Sequence, residues 1–508
     1  MTMNGDEYYF MGIDSGLTVL KAVIFDSRGN EIACAREKTP LIRTGPGFVE
    51  RDMNLLWELT KKVIREVLKL TSIDPKKIIG VGVSGHGDGL YLLDENYKPV
   101  RNAITSLDTR ASSILSEWKD KGILDQLYHI IGQYPFEGSP LPLLAWVKRN
   151  EPEIFKKVRW VIFCKDYIKF KLTGVLCTDK TDASATLVNY RTGYPDPEIY
   201  ELIGLQGCNE YIPEIIDGWQ ICGTISKEAS SETGLSEKTI VASSLHDIDA
   251  TALGSGCLNH GDACIILGTW GINEVISSEP ILDPNKKCLT RIYGAPNKWL
   301  IIFLNYTKAA GLSLEWFIRE CGKDLEEFAK KSGVNQYKLC DEEAADIIPG
   351  SEGVIFIPFL EGAVGIPEAR AIFYGLTAYH KRAHLIRAIL EGVAFATKLS
   401  FAELSHLVNI SKVRVAGGGS RSPLWPQIMA DILGINIEVP EGTELGAKGV
   451  AICAAIASGF YKNHEEALRN MTRISRIYSV NDNNKRKYEK EYQKFLRIVD
   501  LLFKRTIL

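Results

Sequence analysis

The longest apolar runs in the chain, such as Ile301-Ile302-Phe303-Leu304, fall far short of the ~20 residues that a membrane-spanning helix needs. There is no excess of one charge: 60 Lys and Arg face 63 Asp and Glu, giving a net charge of −3 with the signs interspersed. Nucleic-acid binding requires a basic face, and none is present, so no polyanion partner is expected. The eleven cysteines include no C-x-x-C pair, which suits reduced cytoplasmic thiols better than zinc ligands or disulfides. Met1 to Asp6 lacks a basic region, an apolar stretch and a small-residue cleavage site, so it does not read as a signal peptide. No low-complexity segment occurs. These absences leave a soluble, cytoplasmic protein.

At 508 residues, 45% hydrophobic and 24% charged, the chain exceeds what one core supports and reads as two or more globular domains. Tyr8 to Ile13, Leu20 to Phe25 and Glu31 to Arg36 are strand candidates separated by glycine-bearing turns. Asn54 to Leu70 carries Leu55, Leu56, Leu59, Val63, Ile64 and Val67 at helical spacing, and Lys77 to Val83 follows as a buried strand. Three antiparallel strands, a helix and a parallel strand make a layered α/β domain. The same order returns at Ala263 to Leu267, Ile272 to Ile276, Trp299 to Leu304, the helical Gly311 to Cys321, and Val413 to Val415. The expectation is a duplicated fold, with domains at 8–255 and 256–475 and a helical extension at 476–508 ending in an amphipathic helix, Lys485 to Lys504.

Four segments carry candidate chemistry. Gly12-Ile13-Asp14-Ser15-Gly16-Leu17-Thr18 is a strand entering a tight turn, which can aim amides and a carboxylate at a phosphate–magnesium group. Ser243-Ser244-Leu245-His246-Asp247-Ile248-Asp249 brings Asp247 to the start of an alanine-rich helix, where the helix dipole favours its anion. Such a carboxylate beside a substrate hydroxyl can serve as general base, with Asp249, deeper in the helix, as its competitor. Gly268-Thr269-Trp270-Gly271 ends a strand with amides and a hydroxyl able to cradle phosphate. Val415-Ala416-Gly417-Gly418-Gly419-Ser420-Arg421 removes every Cβ where a planar ligand can approach the backbone, and it is neither a P-loop nor a dinucleotide fingerprint. Taken singly, the first three also read as a hairpin turn, a helix N-cap and a β-turn, and the fourth as a loop.

In this order and spacing the four segments resemble the FGGY family of carbohydrate kinases over about residues 8 to 475. Ile357-Pro358-Phe359-Leu360-Glu361-Gly362 and Gly418-Gly419-Ser420-Arg421-Ser422-Pro423-Leu424-Trp425 are also similar to that family. The resemblance implies two actin-like (hexokinase/ribonuclease H-like) domains flanking a catalytic cleft, with ATP and magnesium as cofactors. It implies Asp247 as catalytic base and Asp14, Gly16 and Thr18 as the first phosphate loop, with Asp14 reaching magnesium through water. Gly268 and Thr269 match the second phosphate loop, and Gly417, Gly418, Gly419 and Ser420 the nucleotide wall. His86, Gly87, Asp88 and Asp108, together with Asp247, match the sugar-facing positions. A small sugar or polyol substrate and a homodimer are implied too.

The chain also departs from the family pattern. Leu17 stands where the family usually has a threonine, which removes one hydroxyl from the first phosphate loop, and Ser139 to Ala145 lacks a lysine common before the tryptophan. His86-Gly87-Asp88 differs from the pairs typical of glycerol and D-xylulose kinases. His380-Lys381-Arg382-Ala383-His384-Leu385 and Gly85-His86-Gly87-Asp88-Gly89-Leu90 look most like the L-xylulose and 3-keto-L-gulonate kinase branch. The expected reaction is phosphorylation of a pentulose or ketohexonate. The alternatives are an erythritol or other polyol kinase, or a non-catalytic actin-like sugar sensor or ATPase.

Overall fold

The computed structural model describes residues 7–503 apart from 286, 287, 305, 306, 308, 364, 365 and 367. Met1 to Asp6 and the helix end expected at Lys504 lie outside the described residues. No described helix is long and apolar enough to cross a membrane. Contacts divide the chain into two units. The first comprises Met1–Leu258, Ile276–Leu300 and Gly442–Arg473, and the second Asn259–Val275, Ile301–Glu441 and Ile474–Leu508.

In the first unit, strands Tyr9–Ser15, Val19–Asp26 and Glu31–Lys38 pair antiparallel through the two short turns. Helix Met53–Lys69 starts one residue before the sequence expectation, because the Asp52 carboxylate accepts from Asn54 N–H and Leu55 N–H and caps it. Its buried face, Met53, Leu56, Val63, Ile64 and Val67, joins a core with Met11, Ile13, Ile24 and Val81. The chain returns as strand Ile78–Gly85, parallel to Tyr9–Ser15, and Ile240–Ala242 adds on its other side. Both central strands run two residues beyond the sequence expectation. Asp14 thereby pairs with Ser84, and Leu245 pairs with Ser84 from the opposite side, so one row of the sheet carries all three.

Helix Leu445–Ala457 belongs to this unit although it lies late in sequence. It lies against Tyr9–Ser15, Ile78–Gly85 and helix Asp247–Gly254 at backbone contact distance. A Cβ at Gly12 would fall 2.0 Å from the Ala447 carbonyl oxygen, and one at Gly254 1.9 Å from that of Leu445. Glycine alone permits this approach. It explains why 442–473 returns to the first unit by contacts while lying within the 256–475 stretch of sequence.

The second unit repeats the plan. Asp262–Leu267 and Gly271–Ser277 form a hairpin, with Leu267 opposite Gly271 across the Gly268-Thr269-Trp270 turn. Asp262–Leu267 runs parallel to Lys412–Ala416, which pairs in turn with Ile437–Pro440, and Ile474–Tyr478 closes that edge antiparallel. Helix Arg382–Leu407 precedes the parallel strand and is buried along most of its length. The terminal helix, Asp482–Phe503, buries Tyr488, Tyr492, Phe495, Ile498 and Val499, as an amphipathic stripe requires. Its Tyr488 hydroxyl accepts from Arg387 Nη2 (2.6 Å) and donates to Glu391 (2.9 Å).

Candidate active site

The Asp247 turn is assembled by several strands at one sheet end. Ser244 takes a left-handed backbone, φ 72°, unusual without glycine, and its hydroxyl accepts from Val83 N–H at 2.7 Å and donates to the Ala242 carbonyl at 3.0 Å. Lys169 Nζ donates to the Ser243 carbonyl (2.7 Å), and Thr181 Oγ1 accepts from His246 N–H (2.8 Å). Behind Thr181, the wholly buried Lys165 ammonium is surrounded by Asp166 (3.1 Å), Asp182 (2.6 Å) and Asp179. Those three carboxylates converge as metal ligands do, yet the Lys165 ammonium pairs with all three, so the cluster is a buried ion network that anchors the turn.

Helix Asp247–Gly254 therefore starts where its first residue is accessible. The Asp247 side chain is 36% exposed, and its Oδ1 lies 3.0 Å from His246 Nδ1 and accepts from Ile248 N–H at 2.8 Å. Burial would raise its pKa, but the His246 contact and the Ile248 amide outweigh that and hold it below the ordinary carboxylate value. Asp249 differs. It is fully buried, neither carboxylate oxygen finds a partner among the described residues, and burial pushes its pKa up to about 7. An ionised, reachable carboxylate exists at Asp247 and not at Asp249.

Asp14 accepts from Ser84 Oγ at 2.9 Å, and its Oδ2 lies 3.9 Å from Lys21 Nζ. Burial raises its pKa and the Asp247 charge adds to this, while Lys21 opposes. Lys21 is itself held by Glu444 at 2.8 Å. Gly16 N–H donates to the Val19 carbonyl at 3.0 Å to close the turn, and Thr18 is exposed beside it.

The 86–88 loop passes against the His246 ring. A Cβ at Gly87 would fall 1.6 Å from His246 Nε2, so only glycine fits. Asp88 is buried with φ 56°, accepts from Arg291 Nη2 at 3.3 Å through Oδ2, and leaves Oδ1 with no partner among the described residues. His86 pairs Nε2 with the Tyr91 hydroxyl (2.9 Å) and Nδ1 with its neighbour's carbonyl (3.3 Å), and burial depresses its pKa to about 3, so it stays neutral. Asp108 is engaged elsewhere, accepting from Val49 N–H (2.6 Å), Arg110 N–H (2.8 Å) and the Arg110 guanidinium. The structure thus brings Asp14, Gly87, Asp88 and Asp247 to one end of the sheet, whereas Asp108 braces its own loop.

In the second unit, Ile266 pairs with Ala416, so the Gly268-Thr269 turn and the triple glycine leave adjacent parallel strands together. Gly311 N–H donates to the Gly268 carbonyl at 2.9 Å and fixes that turn. Gly417 has φ 86°, and a Cβ there would meet the Leu267 carbonyl at 2.7 Å. Among the described residues no atom lies within 4 Å of a Cβ placed at Gly418, whereas one at Gly419 would meet the Leu267 side chain at 2.8 Å. The Ser420 hydroxyl donates to the Gly417 carbonyl at 2.8 Å and closes the loop.

Three polar groups of the first unit escaped sequence reasoning. His246 stood inside a motif already singled out, and its position beside Asp247 was the available signal. Arg291 and Gln133, which bond to each other at 2.9 Å, carry no local pattern, since long-range pairing alone brings them to the site.

Residues 9–254 match the FGGY family of carbohydrate kinases, N-terminal domain, and residues 263–458 match its C-terminal domain. The chain is 32% identical over 500 residues to a protein named probable L-xylulose kinase from Haemophilus influenzae, covering 97% of this chain and 99% of that one. It is 32% identical over 497 residues to the L-xylulose/3-keto-L-gulonate kinase of Escherichia coli K12, covering 97% of each. Its fold matches that of a ligand-bound xylulose kinase from Lactobacillus acidophilus, with a TM-score of 0.87 at 24% identity over 97% of this chain and 98% of that one. Both halves and the whole-length relatives agree: the chain belongs to the FGGY family of carbohydrate kinases, two-domain phosphotransferases of actin-like fold.

Proposed function

We propose that this kinase transfers the γ-phosphoryl group of ATP to a hydroxyl of L-xylulose or a closely related pentulose or ketohexonate, with Asp247 as general base. One observation carries the reading. Asp247 is held ionised, yet is open to solvent, at the first position of a helix whose second acidic residue is buried and raised. The substrate hydroxyl gives its proton to Asp247 while its oxygen bonds to the γ-phosphorus. The bond from that phosphorus to the bridging oxygen breaks, and ADP leaves. The unpaired Asp88 Oδ1 is a buried acceptor suited to a sugar hydroxyl, and Gly87 makes room for the ring that holds the base. The names of the relatives support the pentulose.

The nucleotide role of the second unit rests on the paired strand ends, with amides at Gly268 and Thr269 and an open face at Gly418. Asp14 suits a magnesium ion held through water: its carboxylate is 20% exposed, accepts from Ser84 at Oδ1, meets Lys21 no nearer than 3.9 Å at Oδ2, and is raised by burial and by the Asp247 charge. Bound magnesium would neutralise charge on the nucleotide phosphates. The test is ADP release with L-xylulose, D-xylulose, 3-keto-L-gulonate, erythritol and glycerol. Sugar-dependent release greatest with L-xylulose or 3-keto-L-gulonate is expected. Release independent of any sugar would overturn the kinase reading, and a preference for erythritol would overturn the substrate.

A further inference from the structure

Strand Leu289–Ile292 delivers a guanidinium to a point where three acceptors meet within the first unit. Arg291, 5% exposed, directs Nη1 at His246 Nε2 (2.8 Å), Nε at Gln133 Oε1 (2.9 Å) and Nη2 at Asp88 Oδ2 (3.3 Å). A guanidinium has donors only, so His246 Nε2 must accept, and the ring then carries its proton on Nδ1, facing Asp247 Oδ1 at 3.0 Å; the Ile248 N–H, 3.4 Å from Nδ1, is spent instead on Asp247 Oδ1 at 2.8 Å. We propose that Arg291 is a positioning residue for the catalytic base. It holds His246 as the neutral Nδ1–H tautomer, so that Asp247 receives a neutral hydrogen bond rather than an imidazolium partner. A carboxylate paired with an imidazolium is a weaker base toward a sugar hydroxyl. The inference rests on Asp247 being the base.

The surroundings of His246 favour a second ring proton, which is why a device to withhold it matters. Asp247 and Asp249 lie on the helix that follows the ring, Asp182 Oδ1 lies 4.0 Å from Nε2, and Arg291 and His86 are the cationic or neutral neighbours. Burial and Arg291 oppose the second proton, and the acidic groups, Asp247 foremost, favour it strongly enough to raise the ring's pKa unless Nε2 is held as an acceptor. The Arg291 contact acts at the atom itself. With Nε2 protonated, two donors would face each other at 2.8 Å, so imidazolium formation requires the guanidinium to leave.

The experiment compares kcat from about pH 6 to about pH 9.5 in wild type, Arg291→Gln, His246→Asn, the double variant and Asp247→Asn. Asparagine keeps a neutral donor toward Asp247 but cannot titrate. In Arg291→Gln, kcat near pH 7 is expected to fall about 10- to 100-fold, less than the ~10²–10⁴-fold of losing the base outright, and to climb toward wild type as His246 deprotonates. That climb is expected to vanish in the double variant. A fall of equal size at every pH, or a climb that survives His246→Asn, overturns the proposal. Should Arg291→Gln fail to fold, Arg291→Met decides: a kcat that climbs between about pH 7 and about pH 9.5 supports the proposal, and a loss of equal size at every pH overturns it. If Asp247→Asn itself keeps wild-type turnover, the base reading has failed. If Asp247→Asn is inactive and Arg291→Gln shows no pH dependence, only the Arg291 inference has failed.

Discussion

His246 and Asp247, consecutive in sequence, meet side chain to side chain, with Nδ1 of the ring 3.0 Å from Oδ1 of the carboxylate. Adjacent residues rarely bond this way, because successive side chains usually diverge. Here the turn from strand Leu245–His246 into helix Asp247–Gly254 folds the ring back over the helix start. The contact engages Oδ1 and leaves Oδ2 as the oxygen that the proposed mechanism would use.

Asp247→Asn should keep the shape and remove the proton acceptor, lowering kcat by ~10²–10⁴-fold while ATP binding survives in calorimetry. Asp249→Asn resembles the protonated acid that burial already favours, and its kcat should stay within about tenfold of wild type. The reverse pattern of losses would move the base to Asp249.

Asp249 also makes stability depend on pH. Its folded pKa is about 7, above the ~3.9 of an unfolded aspartate. Its stabilising contribution is therefore complete below about pH 4 and is lost as pH rises through about 7. A shift of about three units at about 1.4 kcal/mol each sets an upper bound of about 4 kcal/mol. Other buried carboxyls titrate too, so the informative quantity is the melting temperature of Asp249→Asn minus that of wild type. This difference should widen from about pH 5 to about pH 8. A constant difference across that range would contradict it.

Gly87→Ala should disable the enzyme without removing any titratable group. The new methyl would sit 1.6 Å from His246 Nε2, so the ring or the 86–88 loop must move. A displacement of this kind at a positioned base costs about 10²-fold. The expected result is a folded variant with a depressed kcat. Near-wild-type turnover would show that His246 can shift without consequence.

The elements of both units were legible because their signals are local. Alternating apolar strands, the helical stripe from Leu56 to Val67 and the glycine turns each declare themselves within a dozen residues. The places of Asp14, next to last in its strand, and Asp247, directly after a strand, were legible for the same reason, since each stands at a recognisable turn. Arg291 was hidden: a strand arginine looks like a solvated charge until 45 residues of separation from His246 are folded away. Asp108 is a different case, a polar residue in a promising loop whose oxygens are engaged by Val49 and Arg110, a pairing that no local pattern announces. The return of helix Leu445–Ala457 to the first unit was equally hidden. Its small residues suggest close packing but do not say against what.

The triple glycine offers a contrast between neighbouring positions. At Gly417 the backbone is left-handed and a Cβ would strike the Leu267 carbonyl, so Gly417→Val should lower the melting temperature and soluble yield. At Gly418 a Cβ meets nothing within 4 Å, so Gly418→Val should fold and melt close to wild type. If that open face is where the nucleotide lies, the valine occupies the ligand's space instead of the protein's. The KM for ATP should then rise about tenfold or more while the KM for sugar changes little, because an occluded contact in the ground-state complex appears in KM. Calorimetric titration with ADP should show the same loss. A folded Gly418→Val protein with unchanged affinity for both nucleotides would place the adenosine elsewhere and leave the glycines with a backbone role alone.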